Sequence, residues 1–218
     1  MLKEIELILF DLDGTLVEFH HDFLFDQAHL ITEQLGHGPI DPQELEQHFS
    51  EFSFFDFIPE NQRELFIHQF WSNFDWNNFP RAKVLPGAME LLHQINASNR
   101  KSGIVTSRAV PVEQLARELE HTGLIEHMTY VRTRSQDHLH WSDKRDSLAS
   151  IIEESGLEPS RIAMVGDIPP DISSARVMGL GLTVGVLSGG LKRSVLEHAK
   201  PDHILDSVAQ ISELFFSK

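Results

Sequence analysis

Residues 7–16 read LILFDLDGTL. Four apolar residues deliver the chain to two aspartates spaced two apart, then to glycine and threonine. In an extended strand, residues i and i+2 point the same way, so Asp11 and Asp13 share a direction at the C-terminal end of the strand. In open α/β sheets that edge is where ligands bind. Gly14 lets the chain turn sharply without a side-chain clash. A calcium loop is excluded: it needs glycine at its sixth position and glutamate at its twelfth, whereas here glycine is fourth and Leu16 sixth. Two readings remain, a pair of turn residues or a site for a hard cation and a phosphate.

A second acidic cluster decides between them. Residues 164–171, MVGDIPPD, again end an apolar run in Gly166 and Asp167, with Asp171 four residues on at the head of a helix. Asp171 alone reads as a helix N-cap. Two strand-end clusters converging on one sheet edge would repel each other unless a cation lay between them. Mg²⁺ suits oxygen ligands and is held by one or two carboxylates plus substrate phosphate.

The rest of the chain supplies the sheet. Candidate strands are Ile5–Phe10, Ser102–Thr106, Met128–Val131, Arg161–Val165, Leu182–Leu187 and Asp202–Leu205. Between them lie helical stretches such as PVEQLARELEHTG, with Pro111 in the first turn and Gly123 at the end. Strands alternating with helices predict an α/β fold of the Rossmann-like kind, a parallel sheet with helices on both faces. Residues 16–83 break that rhythm. They hold 12 of the 15 phenylalanines, and helical periodicity runs through DQAHLITEQLG, PQELEQHFSEF and QRELFIHQFWSNF. An inserted α-helical cap domain is expected at 16–83, with the core formed by 1–15 and 84–218; some of the aromatics pack its core, and others are candidates to line a pocket.

Composition narrows the function. At 218 residues the chain can bury a sizeable core. Its net charge of −15 argues against nucleic acid as a partner, since phosphate backbones call for a basic surface. No apolar run reaches the 18 or so residues of a membrane span, so no membrane partner is expected. The acidic N-terminus does not read as a signal peptide. With no cysteine, thiolate metal sites are excluded. A cytoplasmic protein, a monomer or weak homodimer, is the expectation.

Two further candidates complete the set. GIVTSR ends a strand in Thr106 and Ser107, whose hydroxyls and backbone N–H groups suit phosphate oxygens. Lys144 stands at the head of a helix, 23 residues before Asp167. Other motifs fail. GLGLTVG runs from helix to strand, the reverse of a dinucleotide-binding turn, and GVLSGG is not a G-x-S-x-G elbow. His20 and His21 are adjacent and would face apart, and His138 and His140 have no third ligand near in sequence; surface or hydrogen-bonding roles are expected for them.

DLDGT, the strand ending in Thr106, Lys144 and GDIPPD stand in the order and spacing of the four motifs of the haloacid dehalogenase-like (HAD) hydrolases, which the chain resembles. Arg145 follows the lysine where many relatives carry proline; the spacing favours Lys144. The resemblance implies a phosphatase of the phosphoglycolate phosphatase-like branch with a helical C1 cap. Asp11 would be the nucleophile that forms an aspartyl-phosphate, and Asp13 the acid and base. Thr106, Ser107 and Lys144 would hold the phosphoryl oxygens. Mg²⁺ would sit on Asp11, the Asp13 backbone carbonyl and Asp167, with Asp171 in or beside its coordination sphere. Asp13 argues for phosphate rather than halide chemistry, because the family's dehalogenases lack an aspartate there. A phosphomutase of the β-phosphoglucomutase type and a catalytically silent binding protein are the alternatives. Residues 16–82 carry 12 acidic and only two basic side chains, Arg63 and Arg81, a poor clamp for a second phosphate or several carboxylates. A small-molecule phosphate ester, a monophosphate with a neutral or partly apolar leaving group, is therefore expected.

Overall fold

The computed structural model describes residues 4–134 and 143–216. His138 and His140 lie outside the described residues. Six strands form one parallel sheet: β1 (Leu7–Phe10), β2 (Lys101–Val105), β3 (Met128–Arg132), β4 (Ile162–Gly166), β5 (Leu182–Val186) and β6 (His203–Leu205), in the order β3-β2-β1-β4-β5-β6. The strand order reverses at β1, and the loops after β1, β2 and β4 share one edge beside that switch point, where α/β sheets bind ligands.

The helices are α1 (His21–Gln34), α2 (Pro42–Ser50), α3 (Glu60–Ser72), α4 (Ala88–Ala97), α5 (Val112–Leu119), α6 (Arg145–Ser155), α7 (Pro169–Val177), α8 (Arg193–Ala199) and α9 (Ile211–Phe216). Strand alternation explains why LILF is apolar throughout. Ile8 and Phe10 pack on one face against Leu91 and Leu92 of α4 and Leu115 of α5. Leu7 and Leu9 pack on the other against Leu148 and Ile151 of α6 and Ala175 of α7. All four β1 side chains are buried, as a strand covered on both sides requires.

Helices α1–α3 and the segment after them build a separate aromatic core. Phe66 and Phe70 are fully buried at its centre, with Leu24, Ala28, Ile31, Leu45 and Phe49 around them. The chain leaves the sheet and returns to it as two adjacent passes. Glu18 N–H donates to the Lys83 carbonyl at 2.8 Å, Leu85 N–H to the Leu16 carbonyl at 2.9 Å, and Val17 pairs antiparallel with Val84. Helix α1 starts five residues before the periodicity at DQAHLITEQLG suggests, because Leu24 already faces the aromatic core.

Candidate active site

Asp11 follows β1 directly and its N–H donates to the Val165 carbonyl of β4, so the neighbouring strand fixes its backbone. Gly14 takes φ +78°, and a Cβ there would lie 2.5 Å from Asp167 Oδ2. The glycine is required both for the left-handed turn and for the close approach of Asp167. Ser188 closes the turn from the loop after β5, its hydroxyl donating to the Gly14 carbonyl at 2.6 Å. A Cβ on Gly189 would collide with the Asp167 carboxylate, and one on Gly166 with that of Asp171. Three glycines thus leave the space these two carboxylates occupy.

Asp11, Asp167 and Asp171 are buried, with a carboxylate oxygen of each within 4.8 Å of the others. Lys144, 2% exposed, stands among them: its Nζ is 2.6 Å from Asp11 Oδ1 and 2.5 Å from Asp171 Oδ1. Arg145 instead points outward and pairs with Asp143. Asp171 sits in the first turn of α7, where its Oδ2 accepts the Ile168 N–H at 3.2 Å. Its other oxygen faces the lysine, so it does more than cap the helix. Thr15 donates its hydroxyl to Asp167 Oδ1 at 3.2 Å.

Three buried carboxylates against one ammonium leave a negative surplus. Burial, then the Asp11 and Asp171 charges, hold the Asp167 carboxyl well above the usual aspartate range. Burial likewise pushes Asp171 up to about 7 despite the Lys144 charge beside it. Burial pushes the Lys144 ammonium down, but Asp11 and Asp171 outweigh it and hold its pKa above the ordinary lysine value. This all-oxygen donor set with uncompensated negative charge fits a hard divalent cation such as Mg²⁺.

The Asp13 carboxylate is not in this cluster. Both its oxygens accept from Arg108, Nε to Oδ2 and Nη2 to Oδ1, each at 2.7 Å. Arg108 Nη1 donates to Glu118 at 2.6 Å, and Phe79 covers the guanidinium with its ring centroid 4.7 Å from Cζ. Arg108 is 2% exposed, and the two carboxylates raise its pKa despite its burial. Sequence reasoning missed this residue. The available signal was its place two positions after Thr106 at the end of a buried strand. Thr106 is buried and its Oγ1 accepts the Arg108 N–H at 3.2 Å. The Ser107 hydroxyl is buried without a hydrogen-bond partner among the described residues, which suits a group awaiting a ligand oxygen.

Above these residues a cavity of about 320 Å³ opens between sheet edge and aromatic core. Asp11, Asp13, Thr106, Ser107, Arg108 and Asp167 form its floor. His20 lines the wall, and its Nε2 is buried with no hydrogen-bond partner among the described residues, contrary to the surface or hydrogen-bonding role expected of it. His21 does find a partner, the Gly189 carbonyl, 3.3 Å from its Nε2.

A parallel sheet whose switch point carries two acidic loops, a buried lysine and a helical lobe overhead defines a class of hydrolase. The haloacid dehalogenase-like hydrolase family matches residues 8–184, and the chain belongs to that family. It is similar to the phosphoglycolate phosphatases of Chromobacterium violaceum (27% identical, 98% of this chain and 97% of that protein) and Synechococcus elongatus (26% identical, 94% and 95%). A haloacid dehalogenase-like family hydrolase from Streptococcus pneumoniae shares the fold with a TM-score of 0.75 at 20% identity, covering 98% of this chain and 99% of that one. The chain is an enzyme of the phosphatase kind within this family. Among the described residues no helix is long and apolar enough to cross a membrane.

Proposed function

We propose that the protein is a Mg²⁺-dependent phosphomonoester hydrolase that works through an aspartyl-phosphate on Asp11. The observation that carries this reading is the buried triad Asp11, Asp167 and Asp171 with Lys144 inside it, of which Asp11 and Asp167 line a pocket that also holds Asp13, Thr106 and Ser107. Residues 1–15 and 84–218 act as the catalytic core, and 16–83 as the cap over it.

An oxygen of Asp11 attacks the phosphorus and the bond to the leaving oxygen breaks. Asp13 gives its proton to that oxygen, and the alcohol departs. A water molecule then attacks the phosphorus of the aspartyl-phosphate and yields a proton to Asp13, freeing Asp11 and inorganic phosphate. Splitting one displacement into two is the gain of covalent catalysis. Lys144, Thr106 and Ser107 hold the equatorial oxygens, where positioning and charge neutralisation dominate. Asp11, Asp167 and Asp171, with the Asp13 backbone carbonyl, would hold Mg²⁺, which supplies positive charge that lets an anionic nucleophile meet an anionic ester. Arg108 takes one lone pair from each Asp13 oxygen and fixes the carboxylate plane; each oxygen keeps a further lone pair for the proton in transit.

The substrate is a small phosphate ester free in the cytoplasm, and the enzyme acts as a monomer or weak homodimer. The test is inorganic phosphate release from a panel of monoesters, 2-phosphoglycolate among them because relatives bear that name. Release with Mg²⁺, loss with EDTA and no isomerised sugar phosphate are the expected results. Isomerisation without release would indicate a phosphomutase instead.

A further inference from the structure

We infer that the alcohol half of the substrate is an uncharged, ring-bearing group held by an aromatic cage in the cap; this rests on the phosphomonoesterase reading above. The cavity wall opposite the carboxylates is built from Phe19, Phe54, Ile67, Trp71, Trp76 and Phe79. These side chains are only partly buried, whereas Phe66 and Phe70, fully buried at the centre of the same lobe, do not line the cavity. Phe49, Phe55 and Phe74, buried in the core of the lobe, also line the cavity, so its wall joins packed rings to rings that keep some exposed area. A cavity of about 150 Å³ accepts benzene. At about 320 Å³ this one has room for a phosphate and one ring on a short linker.

Charge disfavours an anionic leaving group. The lining contains two cationic side chains, Arg63 and Arg108. Arg108 is bound by Asp13 and Glu118. Arg63 lies 3.1 Å from Asp56 and donates to the Ile58 carbonyl. A carboxylate or second phosphate on the leaving group would have to share a cation already paired with a carboxylate and lie near Asp13 and Asp56. Ring faces instead offer an apolar group its main gain, burial of surface from water. Ser53, Ser107 and His20 also line the same space, the His20 ring edge-on to Phe79 with centroids 5.6 Å apart.

Ethyl phosphate, 2-phenylethyl phosphate and 2-phosphoglycolate test the inference, since all three leave as primary alcohols and differ mainly in what the cap must hold. With Mg²⁺, kcat/KM for the phenylethyl ester is expected to exceed that for the ethyl ester by about 10- to 100-fold, mostly through KM. Trp71→Ala, or Phe79→Leu if that protein does not fold, is expected to narrow the ratio. Equal values for the two esters, or a preference for 2-phosphoglycolate, overturn the aromatic cage while leaving the hydrolase intact. Should no ester be hydrolysed, the hydrolase reading fails, and binding to Asp11→Asn followed by tryptophan fluorescence decides the cage separately. Tighter binding of the phenylethyl ester supports the cage, and equal binding of the phenylethyl and ethyl esters overturns it.

Discussion

Arg108 grips Asp13 through two parallel hydrogen bonds of 2.7 Å while a cap ring, Phe79, covers its guanidinium. With Phe79, the pair joins the two lobes at the carboxylate proposed to exchange a proton with the leaving group. Arg108→Ala leaves Asp13 and Glu118 without their shared cation in a largely buried setting. A loss of roughly 3 kcal/mol of stability is expected, read as a lower Tm, because stripping one partner from a buried ion pair strands the other. Arg108→Lys keeps the charge but loses the planar fork, and is expected to restore Tm better than kcat. Equal recovery of both would deny Arg108 a role in orienting Asp13.

Lys144 and Arg145 are adjacent and differ completely in setting. Lys144→Ala removes the one ammonium that the described residues place in the Asp11, Asp167 and Asp171 cluster, and kcat should fall by about 10²- to 10³-fold, the scale for losing one preorganised charge donor. Arg145→Ala touches an exposed pair with Asp143, and its stability should stay within about 0.5 kcal/mol of the parent. Steady-state kinetics and thermal melts on the two variants check both statements.

These contrasts show what the sequence could and could not reveal. LILF preceding Asp11 and IAMVG preceding Asp167 are apolar because both faces of each strand are covered, so the sheet and its two acidic loops were legible from pattern alone. Lys144 was legible by spacing within a motif set. Arg108 was not, because its burial is balanced by Asp13, 95 residues away, and by a glutamate on the next helix. His20 was missed for a similar reason. Its ring contact is with Phe79, 59 residues on, where the chain returns to the sheet.

Gly189 tests the carboxylate cradle. A Cβ at that position would overlap the Asp167 carboxylate, so Gly189→Ala has to displace it. Mg²⁺ affinity, titrated through the rise in Tm, should weaken by about 10- to 100-fold, the usual effect of disturbing groups that orient metal ligands. Unchanged affinity would remove Asp167 from the metal site.

The raised carboxylates set a pH dependence. An unfolded aspartate titrates near about 3.9, whereas folded Asp171 is pushed up to about 7 by burial, and Asp167 shifts the same way. Between those values the metal-free folded protein keeps protons the unfolded chain has lost, so this cluster's contribution to stability falls as pH rises and levels off above the folded value. Mg²⁺ needs the deprotonated carboxylates. The increase in Tm on adding Mg²⁺ should therefore grow between about pH 6 and about pH 8. A Mg²⁺ effect that is flat across that range would contradict the assignment.

The central claim is that Asp11 carries the phosphoryl group. Mixing enzyme with a hydrolysed ester, quenching in acid within the first turnover and digesting the chain would locate any acyl phosphate by mass spectrometry. One phosphate on the peptide bearing Asp11, absent from Asp11→Asn, is the expected result. Turnover of Asp11→Asn near the parent rate, or a phosphate trapped on another residue, would contradict it.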